Sequence, residues 1–222
     1  MGSNRANDNT VIMIQTIFDH INNFEYAEAF LVSSEIMERN EQGDQLFHEW
    51  VKSLTEFFTC NKRYEAISLL ERIKPDVIEN EIHFRIINSL VDFYREVEDE
   101  ENFLKYKNKI YPEISKLKNT ELKHKIVYNI ANGFYTFQNY KEALRYIEES
   151  IDIARENNLF TIFYSLCFMV KIMCLFYLDE PEKADDLKSV FESYLDIIGN
   201  LKHKEYLEKA IRRFQERRIT NE

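Results

Sequence analysis

The sequence predicts an all-α protein, built of about five degenerate helix pairs in a row and closed by one C-terminal capping helix. Three observations predict it. First, breakers are scarce. Four Gly and three Pro stand among 222 residues, where average usage gives about 27. Sandwiches and barrels need many turns made of these residues. Second, apolar residues between the breakers recur at helical spacing. Third, four segments align without gaps: Lys52–Phe58, Asn88–Tyr94, Asn129–Tyr135 and Lys171–Tyr177, each ending in two aromatics, with starts 36, 41 and 42 residues apart. That period is a helix–turn–helix repeat.

The elements follow in order. Helices at 11–22 and 26–40 make a divergent first pair. The second pair, 44–59 and 63–74, carries Lys52–Phe58, then the stripe Tyr64, Ala66, Leu69, Leu70, Ile73, and stops at Pro75. The third, 79–96 and 100–117, holds Asn88–Tyr94; the acidic run from Glu96 to Glu101 supplies its turn and a helix start, where acids suit the dipole. In the fourth, 119–137 and 140–157, the stripe Tyr140, Ala143, Leu144, Ile147, Ile151, Ala154 keeps helical spacing. The fifth is 159–178 and 181–198. Leu159–Leu178 is long enough to cross a bilayer, but Lys171 inside it favours a buried central helix. The last helix, 201–217, is densely charged and reads as a polar cap.

Composition excludes several functions. A net charge of −10 lacks the basic footprint of a duplex-DNA reader. The odd set Cys60, Cys167 and Cys174 makes no disulfide framework and suits a reducing cytoplasm. Residues 1–10 are polar, without a signal-peptide core, and read as a flexible leader or an expression remnant; 11–222 reads as one domain. No phosphate loop, zinc-protease motif or nucleophile elbow occurs, and the five His are scattered. Neither an enzyme nor a metal or cofactor protein is expected. Cys167 and Cys174, seven apart, read as buried soft residues, and Trp50 as core.

Asn129-Ile-Ala-Asn-Gly-Phe-Tyr135, followed by Asn139-Tyr-Lys-Glu-Ala-Leu-Arg-Tyr146, resembles a tetratricopeptide repeat (TPR), with Phe134, Tyr140 and Ala143 at its aromatic, turn and small positions. Other repeats depart from it: Asn102 stands where Ala143 would align. Five loose repeats and a terminal helix resemble the C-terminal peptide-sensing domain of PlcR-type quorum-sensing regulators, the class that includes the Rgg, NprR and PrgX proteins. The segments carrying that likeness are Glu49-Trp50, Asn88–Tyr94, Val127-Tyr-Asn129 and Lys202–Arg213. The resemblance implies a right-handed superhelix of TPR-like pairs and a cytoplasmic, homodimeric receptor for a short signalling peptide that controls transcription. It also implies a helix-turn-helix DNA-binding domain ahead of the repeats. These residues hold none, so DNA would be reached only through such a domain.

Repeat proteins bind on their concave face, lined in this class by the first helix of each pair. The motif's opening position reads Lys52, Asn88, Asn129, Lys171; four residues earlier stand His48, Phe84, Lys125, Cys167; three later stand Thr55, Val91, Asn132, Cys174. Those offsets share one helical face. An amide side chain offers two donors and two lone pairs, enough to hold a peptide backbone. By the resemblance, Asn88 and Asn129 take that role. Lys52 and Lys171 would meet a peptide carboxylate, with Lys125, Asn132, His48 and Phe84 as further contacts. The alternative for each Asn is a structural hydrogen bond, and for each Lys an internal ion pair or solvent. The rival function is a general TPR scaffold for a partner protein, without a transcriptional role.

Overall fold

The computed structural model describes residues 3–38, 45–159, 162–197, 199 and 201–220. Among them stand eleven α-helices and one short 3-10 helix. The expected helix ends at 40, 44 and 198, and Gly43, lie outside the described residues. The chain divides into two compact units, Met1–Ile110 and Tyr111–Glu222.

The first unit holds three pairs: α1 (Ser3–Asn22) with α2 (Tyr26–Glu38), α3 (Gln45–Phe58) with α4 (Arg63–Ile73), and α5 (Glu81–Glu96) with α6 (Glu100–Ile110). The first helices also touch directly, α3 against α5. The repeat aromatics make that joint: Phe57 stacks on Phe93 with centroids 3.8 Å apart. Stacks of this kind add about 0.5–1.5 kcal/mol beyond area burial. Trp50, buried as expected, donates its indole N–H to Ser89 at 2.9 Å. Arg85 of α5 lies over the rings of Phe18 and Trp50, 4.1 and 5.6 Å from their centroids, which ties α1, α3 and α5 together. Glu71 of α4 accepts from both Tyr94 and Tyr106, at 2.7 and 2.6 Å.

The second unit starts with the 3-10 helix Tyr111–Lys116. The sequence predicts one helix over 100–117, but α6 ends at Ile110. Pro112 has no N–H to continue the ladder, and its ring crowds the carbonyl a turn back. Two pairs and a last helix follow: α7 (Thr120–Thr136), α8 (Tyr140–Glu156), α9 (Ile162–Tyr177), α10 (Pro181–Ile197) and α11 (Leu201–Thr220). Asn119 and Asn139 cap α7 and α8 by accepting from Leu122 N and Glu142 N. Pro181 opens α10, where its missing N–H costs nothing.

Helix α9 contacts α7, α8, α10 and α11. It is a buried central helix, and no described helix is long and apolar enough to cross a membrane. The last helix is more than a polar cap. Its Leu207, Ile211 and Phe214 are buried in one cluster with Met173, Phe176, Phe191 and Leu195. Burial of side chains of this size contributes roughly 1.5–3 kcal/mol each.

Each turn inside a pair places one non-glycine residue at positive φ: Phe24 (62°), Asn61 (55°), Glu98 (57°), Gln138 (60°) and Asp179 (61°). The period read from aromatics thus returns in the backbone.

Candidate functional site

In the first unit, His48 and Lys52 stand on α3, and Phe84 and Asn88 on the adjoining α5. His48 Nδ1 lies 3.1 Å from the Ser33 hydroxyl, which donates to the Phe30 carbonyl. Burial, then the Lys52 cation one turn on, lower the His48 pKa, so the ring is neutral at neutral pH. Lys52 is half exposed and reaches Glu56 only at 3.9 Å, a spacing worth little at a surface. Phe84 and Asn88 are buried, 4% and 6% exposed. Asn88 has contacts inside the fold.

In the second unit, Lys125, Asn129 and Asn132 stand on α7 and Lys171 on α9, and these helices touch. Lys125 Nζ lies 4.7 Å above the Phe163 ring. Asn129 is buried at 5% exposure and has contacts inside the fold. Lys171 turns toward α8 and pairs with Glu148 at 2.9 Å. Cys167, on the same face, reaches Ser150 of α8 at 3.5 Å. The aligned column on α9 therefore meets the preceding helix pair. Both cysteines are buried, and burial pushes their thiols up to about 12.

Asn132 leads to a feature that the alignment missed. It lines a cavity of about 340 Å³ whose wall α7 completes with Tyr128 and Tyr135. Helix α9 supplies the apolar side: Leu166, Met169, Val170 and Met173. The third wall is α11, through Lys202, His203, Tyr206, Leu207 and Ala210. Among the described residues no acid lines it, although acids outnumber bases by ten in the chain. Burial lowers the His203 pKa, which leaves Lys202 as its charged group. The signal for these residues is the spacing of His203, Tyr206, Leu207 and Ala210, a helical stripe inside a segment dominated by charge.

A second polar cluster is buried nearby. His124, fully buried, places Nδ1 3.0 Å from the Ser150 carbonyl and 2.8 Å from its hydroxyl. The Ser150 hydroxyl donates to the His124 carbonyl at 3.1 Å. A carbonyl only accepts, so Nδ1 carries the hydrogen, and Nε2 is a bare lone pair with no partner. Among the described residues, no group of His, Cys, Asp and Glu is arranged to hold a metal ion.

Residues 14–215 match the RNPP family C-terminal domain, and the chain belongs to that family. This is the class that the repeat motifs and terminal helix resemble. PlcR of Bacillus thuringiensis, solved with the peptide PapR7 and DNA, superposes with a TM-score of 0.75 at 18% identity, over 90% of this chain and 74% of that one. The apo form of PlcR gives 0.77 at 17% identity, over 94% and 79%. The TPR-like repeats of a Podosopora anserina putative kinesin light chain give 0.60 at 11% identity, over 85% and 95%. At these identities the likeness is one of fold. No sequence match was found among curated proteins.

Proposed function

We propose that the chain is the receptor domain of a transcriptional regulator, binds a short signalling peptide on its first helices, and acts as a homodimer through an attached DNA-binding domain. The observation that carries this reading is the cavity walled by α7, α9 and α11, in a chain that belongs to the RNPP family. Pockets for ligands are concave, mostly apolar, and carry a few placed polar groups. This one combines four aliphatic or thioether side chains on α9 with one amide, three tyrosines and one lysine. PlcR, similar in fold, is solved with the peptide PapR7 and DNA.

In this reading Asn129 holds the peptide backbone in the second unit, with Lys125 beside it and Asn132 at the cavity. In the first unit Asn88 takes the same role on α5, and Lys52, His48 and Phe84 are its further contacts. Lys171 takes part by exchanging Glu148 for a ligand carboxylate. Binding regulates only if the peptide prefers one of two conformations.

Native mass spectrometry of the protein with a pool of short synthetic peptides tests the proposal. A stoichiometric peptide adduct, weakened in Asn88→Ala and Asn129→Ala, is expected. Absence of any adduct at saturating peptide overturns it and leaves the scaffold reading, which the likeness to kinesin light chain repeats favours.

A further inference from the structure

The size of the cavity restricts what enters it. At about 340 Å³ it stands at the small end of ligand pockets. It has room for one bulky side chain and the backbone beside it, not for a whole peptide. Its chemistry restricts the occupant further. The α9 side presents two methionine thioethers, Met169 and Met173, and α7 and α11 supply three tyrosines to the lining. Sulfur and aromatic walls favour a planar apolar ring. The charged group is Lys202, exposed on the first turn of α11. It pairs with no described carboxylate, whereas nearby Lys204 is held by Asp196 at 2.7 Å.

From this geometry we infer that the cavity is an anchor pocket for one aromatic residue of the ligand, and that Lys202 receives a carboxylate next to that residue. The inference rests on the peptide reading and deepens it. It assigns to the terminal helix a direct part in selecting the ligand. The carboxylate is either the peptide's own C terminus or the side chain of a neighbouring acid. Neutral peptides of the same shape are discriminated against because Lys202 is then left without its partner.

Three small probes test it: N-acetyl-phenylalanine, its C-terminal amide, and N-acetyl-Phe-Asp with an amidated C terminus. The readout is the methyl resonances of methionine-labelled protein. Met169 and Met173 report the pocket, and Met13 and Met37, on α1 and α2, serve as controls. A probe bearing a carboxylate is expected to move both pocket methyls and leave the controls still. The amide should bind about three- to tenfold more weakly. In Lys202→Gln that difference should vanish, and in Ala210→Trp, which fills the cavity, the shifts should vanish altogether. Binding by the acid probe, but not by N-acetyl-Phe-Asp amide, identifies the terminal carboxylate; the reverse identifies the side chain. Equal binding of all three probes by the unmodified protein overturns the role of Lys202. A peptide that binds while Met169 and Met173 stay unmoved overturns the anchor pocket and leaves the receptor reading standing. Failure of both probes and peptide pool overturns the receptor reading itself.

Discussion

Trp50 on α3 donates its indole N–H to the hydroxyl of Ser89 on α5 across 2.9 Å, with both side chains buried. The bond runs between first helices of successive pairs, 39 residues apart in sequence. Removing the acceptor strands a buried donor, which costs about 1–3 kcal/mol. Ser89→Ala should lose that much in denaturant unfolding. A loss below a few tenths of a kcal/mol would show that the bond contributes nothing net.

Glu71 makes stability depend on acid. Burial alone would raise its pKa, but bonds from Lys74, Tyr106 and Tyr94 outweigh it and hold the carboxyl below its ordinary value of 4.5. A lowered carboxylate pKa gives stability that is present above the unfolded value and lost as pH falls through the folded one. The stability gap between the unmodified protein and Glu71→Gln should therefore narrow as pH drops below 4.5. A gap that stays constant in acid contradicts this.

His124 acts in a higher pH range. Burial lowers its pKa from 6.5, and the bond to Ser150 only partly opposes that. Protonation would place a new N–H donor on Nε2, where no acceptor lies. The unfolded chain takes up this proton first, so stability should fall as pH drops below 6.5. His124→Asn keeps a donor at the Nδ1 position and cannot titrate. It should be less stable at neutral pH but lack that slope. An unchanged slope in the variant assigns the effect elsewhere.

The cysteines should differ in reactivity. Cys60 is exposed, whereas Cys167 and Cys174 are buried with thiols pushed up to about 12. The thiolate is the nucleophile. Intact-mass analysis after iodoacetamide should show one adduct on the folded protein and three on the unfolded one. Rapid labelling of three in the folded state would mean that α9 opens readily.

The turns inside the pairs offer a route to stabilisation. Gln138 and Glu98 hold φ of 60° and 57°. A side chain in this left-handed region costs roughly 1–2 kcal/mol, and glycine avoids the penalty. Gln138→Gly should raise the thermal midpoint unless its contacts outweigh the strain, and a lowered midpoint reports such contacts.

The helix pairs were legible because each repeat carries its own local signals. Asn119 and Asn139 mark helix starts, Pro181 opens a helix, and the aromatic pairs mark the period. The break at Pro112 was legible in principle, since proline ends helices from inside. The cavity was not. Its walls come from α7, α9 and α11, and Tyr206 lies far along the chain from Tyr128. Helix α9 hid its orientation for a different reason. It is mostly apolar, so periodicity could not tell the face of Leu166, Val170 and Met173 from that of Cys167, Lys171 and Cys174. Only the partners across the interface, Glu148 and Ser150, separate the two. The buried His124–Ser150 pair spans 26 residues and leaves no local trace.

The principal contacts among the described helices join elements that are consecutive in the chain or one step further, as α3 to α5 and α9 to α11. Such a contact map has a consequence in time. No long loop must close before packing begins, so the entropic barrier to folding is low and the rate correspondingly high. Within each unit, a pair that leaves the ribosome can dock on the pair before it, while the residues behind are still being made. Assembly can proceed pair by pair in the order of synthesis, and α11 comes last, closing its cavity only when the rest is already in place.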